Sequence, residues 1–350
     1  LIVAALLLAT TFGSSDIGTI LDMARTVGAD AVPSGVPIAV LLIAVAALLK
    51  SAQFPTHGWL PEVMETPTPV SALLHAGIIN AGGFLVIRFA DVMLLAAPAM
   101  HLLAIVGGFT ALFGAVVMLT QTSVKLSLAW STVAQMGFML LQCGLGAFAL
   151  AVLHIVAHSL YKAHAFLSSG SVVEIARSSW VPDMTARPGP RQLLLSLGLA
   201  LGLYVGLGWV FGLAHTHSVV MLVLGSILIM GVALLLAQSM AGRSNADGVG
   251  RTIAAAVLVT SLYFVLQGGV VAFMSPLLPL PGQPGAVDIM IMALVVVSFA
   301  VVTILQILAP AWSGKSAWQA ARVHIANGFY ANALFNRFVG ALVRPAGNLS

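Results

Sequence analysis

The sequence predicts an all-α protein, a polytopic bundle of transmembrane helices with a broken helix near Lys50. Of its 350 residues, 60% are hydrophobic and 7% are charged, whereas a soluble domain carries about 25% charged residues. The apolar residues fall into ten runs, most of which approach the ~20 residues needed to cross ~30 Å of hydrocarbon. The runs lie near 1–12, 37–53, 69–90, 99–119, 126–143, 147–174, 191–212, 217–240, 252–274 and 288–311.

Composition excludes several other classes of protein. The single cysteine, Cys143, excludes an internal disulfide and a cysteine-ligated metal cluster. The formal net charge of +4 requires no nucleic-acid partner, because the basic residues lie mainly in loops. The chain starts without methionine inside an apolar run, and no basic region precedes that run. We therefore expect a fragment that lacks its N-terminal part, not a signal peptide.

The second run ends on a lysine and is followed by helix-breaking residues. Lys50 closes the stretch ALLKSAQFP, and the piece Pro55–Glu65 must be added to give a span of full length, with Lys50 near its middle. A charge inside an apolar run is costly and indicates a functional site. The negative end of a half-helix also favours a cation there. Alternatively, Lys50 reaches the interface from an ordinary helix end.

Basic residues in the loops predict the orientation. If the connections are numbered alternately, one side holds only Arg25 and Arg88, and the other holds ten basic residues. Cytoplasmic loops are rich in lysine and arginine, so we expect that second side and the C-terminus to be cytoplasmic. The ten are Lys125, Arg177, Arg187, Arg191, Arg243, Arg251, Lys315, Arg322, Arg337 and Arg344.

The fifth run places small polar residues at spacings of four. Ser127, Ser131 and Gln135 fall on one helix face. Such residues either make helix–helix contacts in membranes or line a water-filled path. Glu62 and Glu65, in the broken piece, are further candidates for a polar lining.

The sixth run carries three titratable residues at helical spacing. His154, His158 and Lys162 lie at i, i+4 and i+8, within an arc of about 80° and over about 12 Å of rise. Imidazole titrates near neutral pH, so this stripe suits a water-bridged proton wire. The alternative is a set of satisfied hydrogen bonds between helices. His164 points away from the stripe and has no assigned role.

We expect neither a metal nor a cofactor. The HxxxH spacing of His154 and His158 can bind zinc, but the glutamate of an HExxH site is absent and no third ligand is evident.

Two regions complete the chain. In the seventh run, Gly198, Gly202 and Gly206 recur every four residues and favour close helix packing, and His215 and His217 after it read as solvated loop residues. The last stretch is amphipathic, which suits either the cytoplasmic membrane surface or a partner-docking element. We therefore divide the chain into a transmembrane domain, 1–311, and a cytoplasmic amphipathic segment, 312–350.

The motif KSAQFPxHxWLPxxMxxPTPVSALLHA resembles the antiporter-like subunit family, which includes subunit L of respiratory NADH:quinone oxidoreductase and Mrp-type antiporter subunits. The resemblance implies that Lys50 is the mid-membrane lysine of the family and that His75 is the histidine of its next helix. The family also has the pattern of His154, His158 and Lys162, followed by an element like FLSSG. These five residues would then form a proton relay. A second broken helix with its own lysine is absent, which puts a complete second half-channel in doubt.

Two stretches, HAGIINAGGFLVIRF and HIANGFYANALFNR, resemble the DabB branch of this family. That resemblance implies a non-catalytic, proton- or Na⁺-conducting subunit in the bacterial plasma (inner) membrane. Its partner would be a DabA-like zinc protein that hydrates CO2 to bicarbonate, driven by the cation flow. The alternatives are a respiratory, hydrogenase-linked or Mrp-type subunit and, from another class, a membrane metalloenzyme that uses His154 and His158.

Overall fold

The computed structural model describes residues 1–28, 31–169, 188–212, 218–241, 246–312 and 315–343. All regular structure in these residues is helical, which confirms the predicted all-α class. Short 3₁₀ turns occur at Thr56–Gly58, Val63–Glu65, Ile78–Asn80 and Gly328–Tyr330. The α-helices are α1 (Ile2–Phe12), α2 (Ile17–Thr26), α3 (Gly35–Lys50), α4 (Trp59–Glu62), α5 (Thr68–Ala76), α6 (Ala81–Arg88), α7 (Ala90–Met93), α8 (Ala97–Met118), α9 (Val124–Gly144), α10 (Phe148–Leu167), α11 (Pro190–Val210), α12 (Val219–Ala241), α13 (Ala246–Met274), α14 (Ala286–Trp312), α15 (Ser316–Ala326) and α16 (Ala331–Val343).

Each of the ten predicted apolar runs contains a helix. Eight stretches in the described residues are long and apolar enough to cross a membrane, and a ninth is added if the bent pair α1 and α2 is one span. The two runs that fall short alone are α1, with 11 residues, and α3, with 16. The polytopic membrane fold is therefore confirmed, and α3 needs the broken piece to approach the length of a span, as predicted.

The chain after α3 runs through a break that the protein covers. Residues 51–53 are buried. The Ser51 hydroxyl donates a hydrogen bond to the Ile79 carbonyl at 2.8 Å, and the Phe54 amide donates to Thr110 Oγ1 at 3.1 Å. Irregular backbone at membrane depth requires such cover. The prolines therefore lie at the break that the sequence predicts. Neighbouring helices satisfy some of its polar groups, whereas Gln53 Oε1 and His57 Nδ1 have no partner among the described residues.

A second break interrupts the span Thr68–Arg88. Helix α5 ends at Ala76, and a 3₁₀ turn precedes α6. The side-chain Nδ2 of Asn80 donates hydrogen bonds to the Ala76 carbonyl at 2.7 Å and to the Ser159 hydroxyl of α10 at 3.0 Å. A 3₁₀ stretch inside a helix often marks a hinge. The sequence analysis did not predict this break, although the glycines of GIINAGG were its signal.

Helices α8 and α9 form a hairpin that leaves no room for side chains where they cross. A Cβ on Gly137 would lie 2.5 Å from the Ala111 amide nitrogen and 2.7 Å from the Gly107 carbonyl oxygen. Only glycine permits this approach of backbone to backbone. One face of α9 is thereby held against α8, while other α9 residues contact α10.

The described residues divide into two compact units, Leu1–Ser169 with Ser316–Ser350, and Gly170–Lys315. In the second unit, the prediction that the glycines of α11 pack closely against a neighbouring helix is wrong for the described residues. A Cβ on Gly198, Gly202 or Gly206 would meet no atom of the described residues within 4 Å. The buried residues of α11 lie on its other side, where Tyr204 packs against Gly225 of α12.

The C-terminal helices belong to the first unit. Gln121 Nε2 donates to the Ala326 carbonyl at 3.0 Å, and Asn332 Nδ2 donates to Glu62 Oε1 at 2.5 Å. The amphipathic pair therefore packs on the broken piece, while the assignment of 312–350 to the cytoplasmic surface stays a prediction. Several residues of the sequence analysis lie outside the described part of the chain: Arg177, Arg187, His215, His217, Arg243, Arg344 and the glycine of FLSSG, Gly170.

Candidate proton-relay site

Helix α10 places three titratable side chains along one side. The ring centroids of His154 and His158 are 6.0 Å apart. His158 and Lys162 are buried, whereas His164 on the same helix is exposed. The helical period therefore separates His164 from the other three, as the sequence predicts.

Lys162 reaches across to α9. Its Nζ donates to the Leu128 carbonyl at 3.0 Å and to the Ser131 hydroxyl. Within the described ranges, the two ion pairs are those of Arg25 with Asp22 and Asp91, so no carboxylate there is paired with Lys162. A buried amine held by neutral oxygens is a group that can exchange its proton at low electrostatic cost, because no counter-charge is left behind.

His75 of α5 joins this group from the next helix. Its Nδ1 lies 3.0 Å from Thr132 Oγ1, and its ring stacks on Phe166 with a centroid distance of 4.4 Å. The Thr132 hydroxyl donates its own proton to the Leu128 carbonyl at 3.0 Å. In the neutral ring, the hydrogen-bond network therefore assigns the proton to His75 Nδ1 and leaves Nε2 as an acceptor.

The Leu128 carbonyl links His75 to Lys162, since it accepts one hydrogen bond from Thr132, the partner of His75, and another from Lys162. A backbone carbonyl accepts protons in hydrogen bonds but has none to pass on. The chain of hydrogen bonds from His75 to Lys162 therefore holds the two side chains in place and carries no proton between them. Proton exchange between these two residues needs water that reaches His75 Nε2 and Lys162 Nζ.

Gln142 of α9 orients His154. Its Oε1 lies 3.1 Å from His154 Nδ1. Because an amide oxygen only accepts, Nδ1 of His154 carries the proton and Nε2 has its lone pair free. Among the residues that the structure describes, five buried imidazole nitrogens have no protein partner, and four of them lie in this group: His75 Nε2, His154 Nε2, His158 Nδ1 and His158 Nε2, the fifth being His57 Nδ1 in the broken piece. Buried polar atoms are costly without partners, so their concentration here indicates a polar path.

The other candidates lie apart from this cluster. Lys50 is the last residue of α3 and is exposed, as are Glu62, Glu65 and Gln135. Ser127 is half-buried, one turn before Ser131. The predicted polar face of α9 is therefore divided, because Ser131 contacts Lys162 while Gln135 does not join the cluster. The structure brings His75, His154, His158, Lys162 and Ser131 together and leaves Lys50 outside.

Sequence reasoning missed three residues. Thr132 and Gln142 hold His75 and His154, respectively. Lys125, treated above only as a loop charge, donates from Nζ to the Met64 carbonyl at 3.0 Å and the Thr66 carbonyl at 2.8 Å. It therefore ties the start of α9 to the end of the broken piece. The available signal was the set of polar residues on α9, of which only Ser127, Ser131 and Gln135 were considered as candidates.

A metal site has little support from the side chains. Across the part of the chain that the structure describes, no three His, Cys, Asp or Glu side chains are grouped as metal ligands would be.

Comparison with known proteins identifies the family. Residues 1–180, just over half of the chain, match the family model described as NADH:quinone oxidoreductase/Mrp antiporter, TM. The chain belongs to this family. It is a multi-pass membrane protein of the antiporter-like class, as its motifs predict.

Curated relatives include inorganic-carbon and respiratory proteins. The chain is 39% identical over 299 residues to "Probable inorganic carbon transporter subunit DabB2" of Halothiobacillus neapolitanus, which covers 84% of this chain and 53% of that protein. It is 45% identical over 231 residues to "Probable inorganic carbon transporter subunit DabB" of Hydrogenovibrio crunogenus (66% and 43%). It is 44% identical over 164 residues to "NAD(P)H-quinone oxidoreductase chain 5" of Synechocystis sp. (46% and 24%). The chain thus spans about half the length of the DabB relatives it matches.

A solved structure, the Mrp complex from Dietzia sp. DQ12-45-1b, matches with a TM-score of 0.45 at 24% identity, over 99% of this chain and 39% of that chain. The resemblance to antiporter-like subunits, DabB proteins among them, is confirmed by the family match and the relatives.

Proposed function

We propose that this chain is a proton-conducting membrane subunit that energises inorganic-carbon uptake. Its partner would be a DabA-like zinc protein that hydrates CO2 to bicarbonate, and the C-terminus would face the cytoplasm of a bacterial inner membrane. The similarity to DabB proteins supports the biological setting. The observation that carries the proposal is the group of His75, His154, His158 and Lys162 described above, in which His154 is half-buried and the other three are buried.

The chemistry of this group favours protons over Na⁺. Hard cations prefer carboxylate, carbonyl and water oxygens, whereas the group offers imidazole and amine nitrogens. The two hydroxyls beside it, Ser131 and Thr132, already bond to Lys162 and to the Leu128 carbonyl. Each histidine can accept a proton at one nitrogen and release one at the other. The group therefore suits proton transfer better than ion binding.

The spacing of the group requires water between its members. The rings of His154 and His158 have centroids 6.0 Å apart and share no hydrogen bond, since His154 Nε2 and both nitrogens of His158 have no protein partner among the described residues. One or two waters would bridge the rings. Conduction then depends on hydration, which a partner or a motion at the breaks could control.

The proposal is tested with matched histidine variants on one helix. We expect His158→Ala to lower partner-dependent proton flux in liposomes at least tenfold, and His164→Ala to leave it near wild type, because His164 is exposed and outside the group. A tenfold change corresponds to about 1.4 kcal/mol. The full-length protein alone should conduct little, and adding the DabA-like protein should raise the flux. Equal effects of the two substitutions, or full conductance without the partner, would contradict the proposal.

A respiratory, hydrogenase-linked or Mrp-type subunit is the second candidate. The 44% identity to the chain 5 protein over 164 residues supports it, and the same relay would serve either function. Purification of the full-length protein from its native membrane discriminates them. A zinc-containing partner favours inorganic-carbon uptake, whereas quinone-reducing or antiport activity in the purified assembly favours the alternative. Zinc bound to this chain itself would instead support a metalloenzyme at His154 and His158.

A further inference from the structure

An apolar cleft of about 790 Å³ lies in the first unit between α8, the broken piece and the C-terminal helix α16. Its size is within the ~300–1,000 Å³ of typical ligand sites. Several large residues at its edge remain exposed, Phe109 by 52% and Phe338 by 63%. Its walls include Phe54, Pro55, Phe109, Phe113, Phe335 and Phe338.

The walls of the cleft are chemically uniform. All the side chains that line it are apolar, and Phe54 packs edge-on against Phe109 and Phe113 at centroid distances of 5.0 and 5.5 Å. A cation, bicarbonate or a nucleotide would lose its hydration there without gaining a partner. An alkyl chain has no hydration shell to lose there, and its dispersion contacts with the aromatic walls offset the conformational freedom that it gives up.

The charge beside the cleft indicates which alkyl compound it takes. The described helices α15 and α16 carry the exposed Arg322 and Arg337 and no acidic residue, while the exposed Glu62 of the broken piece accepts a hydrogen bond from Asn332 of α16. Arg337 lies between the lining residues Phe335 and Phe338 on α16 and is exposed. Basic segments beside apolar membrane surfaces attract anionic lipid headgroups. The cleft also lies along the C-terminal half of α8, from which the chain continues to Lys125 at the start of α9.

We propose that this cleft binds one acyl chain of an anionic phospholipid from the surrounding bilayer, with the headgroup beside Arg337 of α16. The acyl chain would contact Phe54 and Pro55, which follow the break after Lys50 by only a few residues. The lipid would thus hold α16 against the broken piece. This inference does not depend on which cation the protein conducts or on its partner.

The test measures lipid retained by the full-length protein. The protein is purified in mild detergent, equilibrated with equal amounts of phosphatidylglycerol and phosphatidylcholine of identical acyl chains, and examined by native mass spectrometry. We expect about one phosphatidylglycerol per chain, retained in preference to phosphatidylcholine. Arg337→Gln should remove that preference while some lipid stays bound.

Substitutions that fill the cleft separate this site from general lipid binding. Ala331→Phe and Val116→Phe enter it from α16 and α8, respectively. Each should lower retained phosphatidylglycerol about tenfold, because one ring displaces the contacts of two or more methylene groups. Val339→Phe, on α16 but not in the lining, is the matched control and should retain the lipid. Thermal unfolding checks that all three variants fold.

Three results would overturn the proposal. In the first, the two filling variants retain as much phosphatidylglycerol as the control variant. In the second, the wild type retains the two phospholipids equally. In the third, an apolar segment of another protein copurifies in place of the lipid. Using filling variants on two different helices keeps the test decisive if one of them fails to fold.

Discussion

Replacing Thr132 by valine should destabilise the first unit through His75. The two side chains are nearly the same shape, so no cavity forms at this fully buried position. The substitution removes the oxygen that accepts the Nδ1 proton of His75 at 3.0 Å. A buried polar group left without a partner costs about 1–3 kcal/mol. We expect a loss of that size in the free energy of unfolding, measured in detergent micelles with a chemical denaturant.

Thr303→Val is the matched control. Thr303 donates to the carbonyl four residues earlier, at 2.8 Å, as Thr132 does, but no acceptor role toward a histidine depends on it in the described contacts. Its replacement removes the same local bond and should change stability by no more than about 0.5 kcal/mol.

A double-mutant cycle with His75→Leu isolates the pair. Polar pairs inside membrane proteins couple by ~0.6 kcal/mol on average and up to ~1.7 kcal/mol. We expect the Thr132–His75 coupling to lie in the upper half of this range, because both side chains are fully buried. A coupling below about 0.3 kcal/mol, or equal losses for Thr132→Val and Thr303→Val, would refute the tautomer assigned to His75.

Further predictions concern the relay and the orientation. Lys50→Ala should abolish cation-coupled function while the protein still inserts, because the motif around Lys50 resembles that of the mid-membrane lysine of the family, although the structure leaves Lys50 outside the group on α10; uptake or growth rescue at the wild-type level would argue against a relay role for this exposed lysine. Gln142→Leu should lower proton flux in liposomes several-fold because it frees His154 to rotate, whereas Gln135→Leu should not; equal fluxes would remove the positioning role of Gln142. Reporter fusions after Ser350 and near Asp183 should both report cytoplasm, and a split result would show that the predicted spans are miscounted.

The stripe on α10 was predictable because it depends on one helix alone. The spacing of His154, His158 and Lys162 fixes their common side whatever packs against it. The broken piece was predictable for a similar reason, since its prolines act locally. These parts of the fold and the site are encoded within single segments of the chain.

The partners of the stripe were not predictable, because they depend on how two helices cross. Gln135 lies one turn along α9 and about 40° around its axis from Ser131. Whether that offset brings the side chain toward α10 or away from it is set by the glycine crossing of α8 and α9, through Gly107 and Gly137. A single sequence reveals the glycines but not the rotation they impose. The same limit explains why Thr132 and Gln142 were overlooked.

The placement of α15 and α16 has a consequence for biosynthesis. The first unit combines two separate stretches of the sequence, Leu1–Ser169 and Ser316–Ser350, and the second unit lies between them in sequence. A ribosome therefore completes about 150 residues of other membrane helices before it releases the segment whose Asn332 contacts Glu62. Until then, the aromatic surface around Phe54 and Phe113 has no α16 to cover it. A chaperone or insertase that shields this surface during translation would act at the one stage when the broken piece is open, and a nonsense mutation after Lys315 would leave it open permanently.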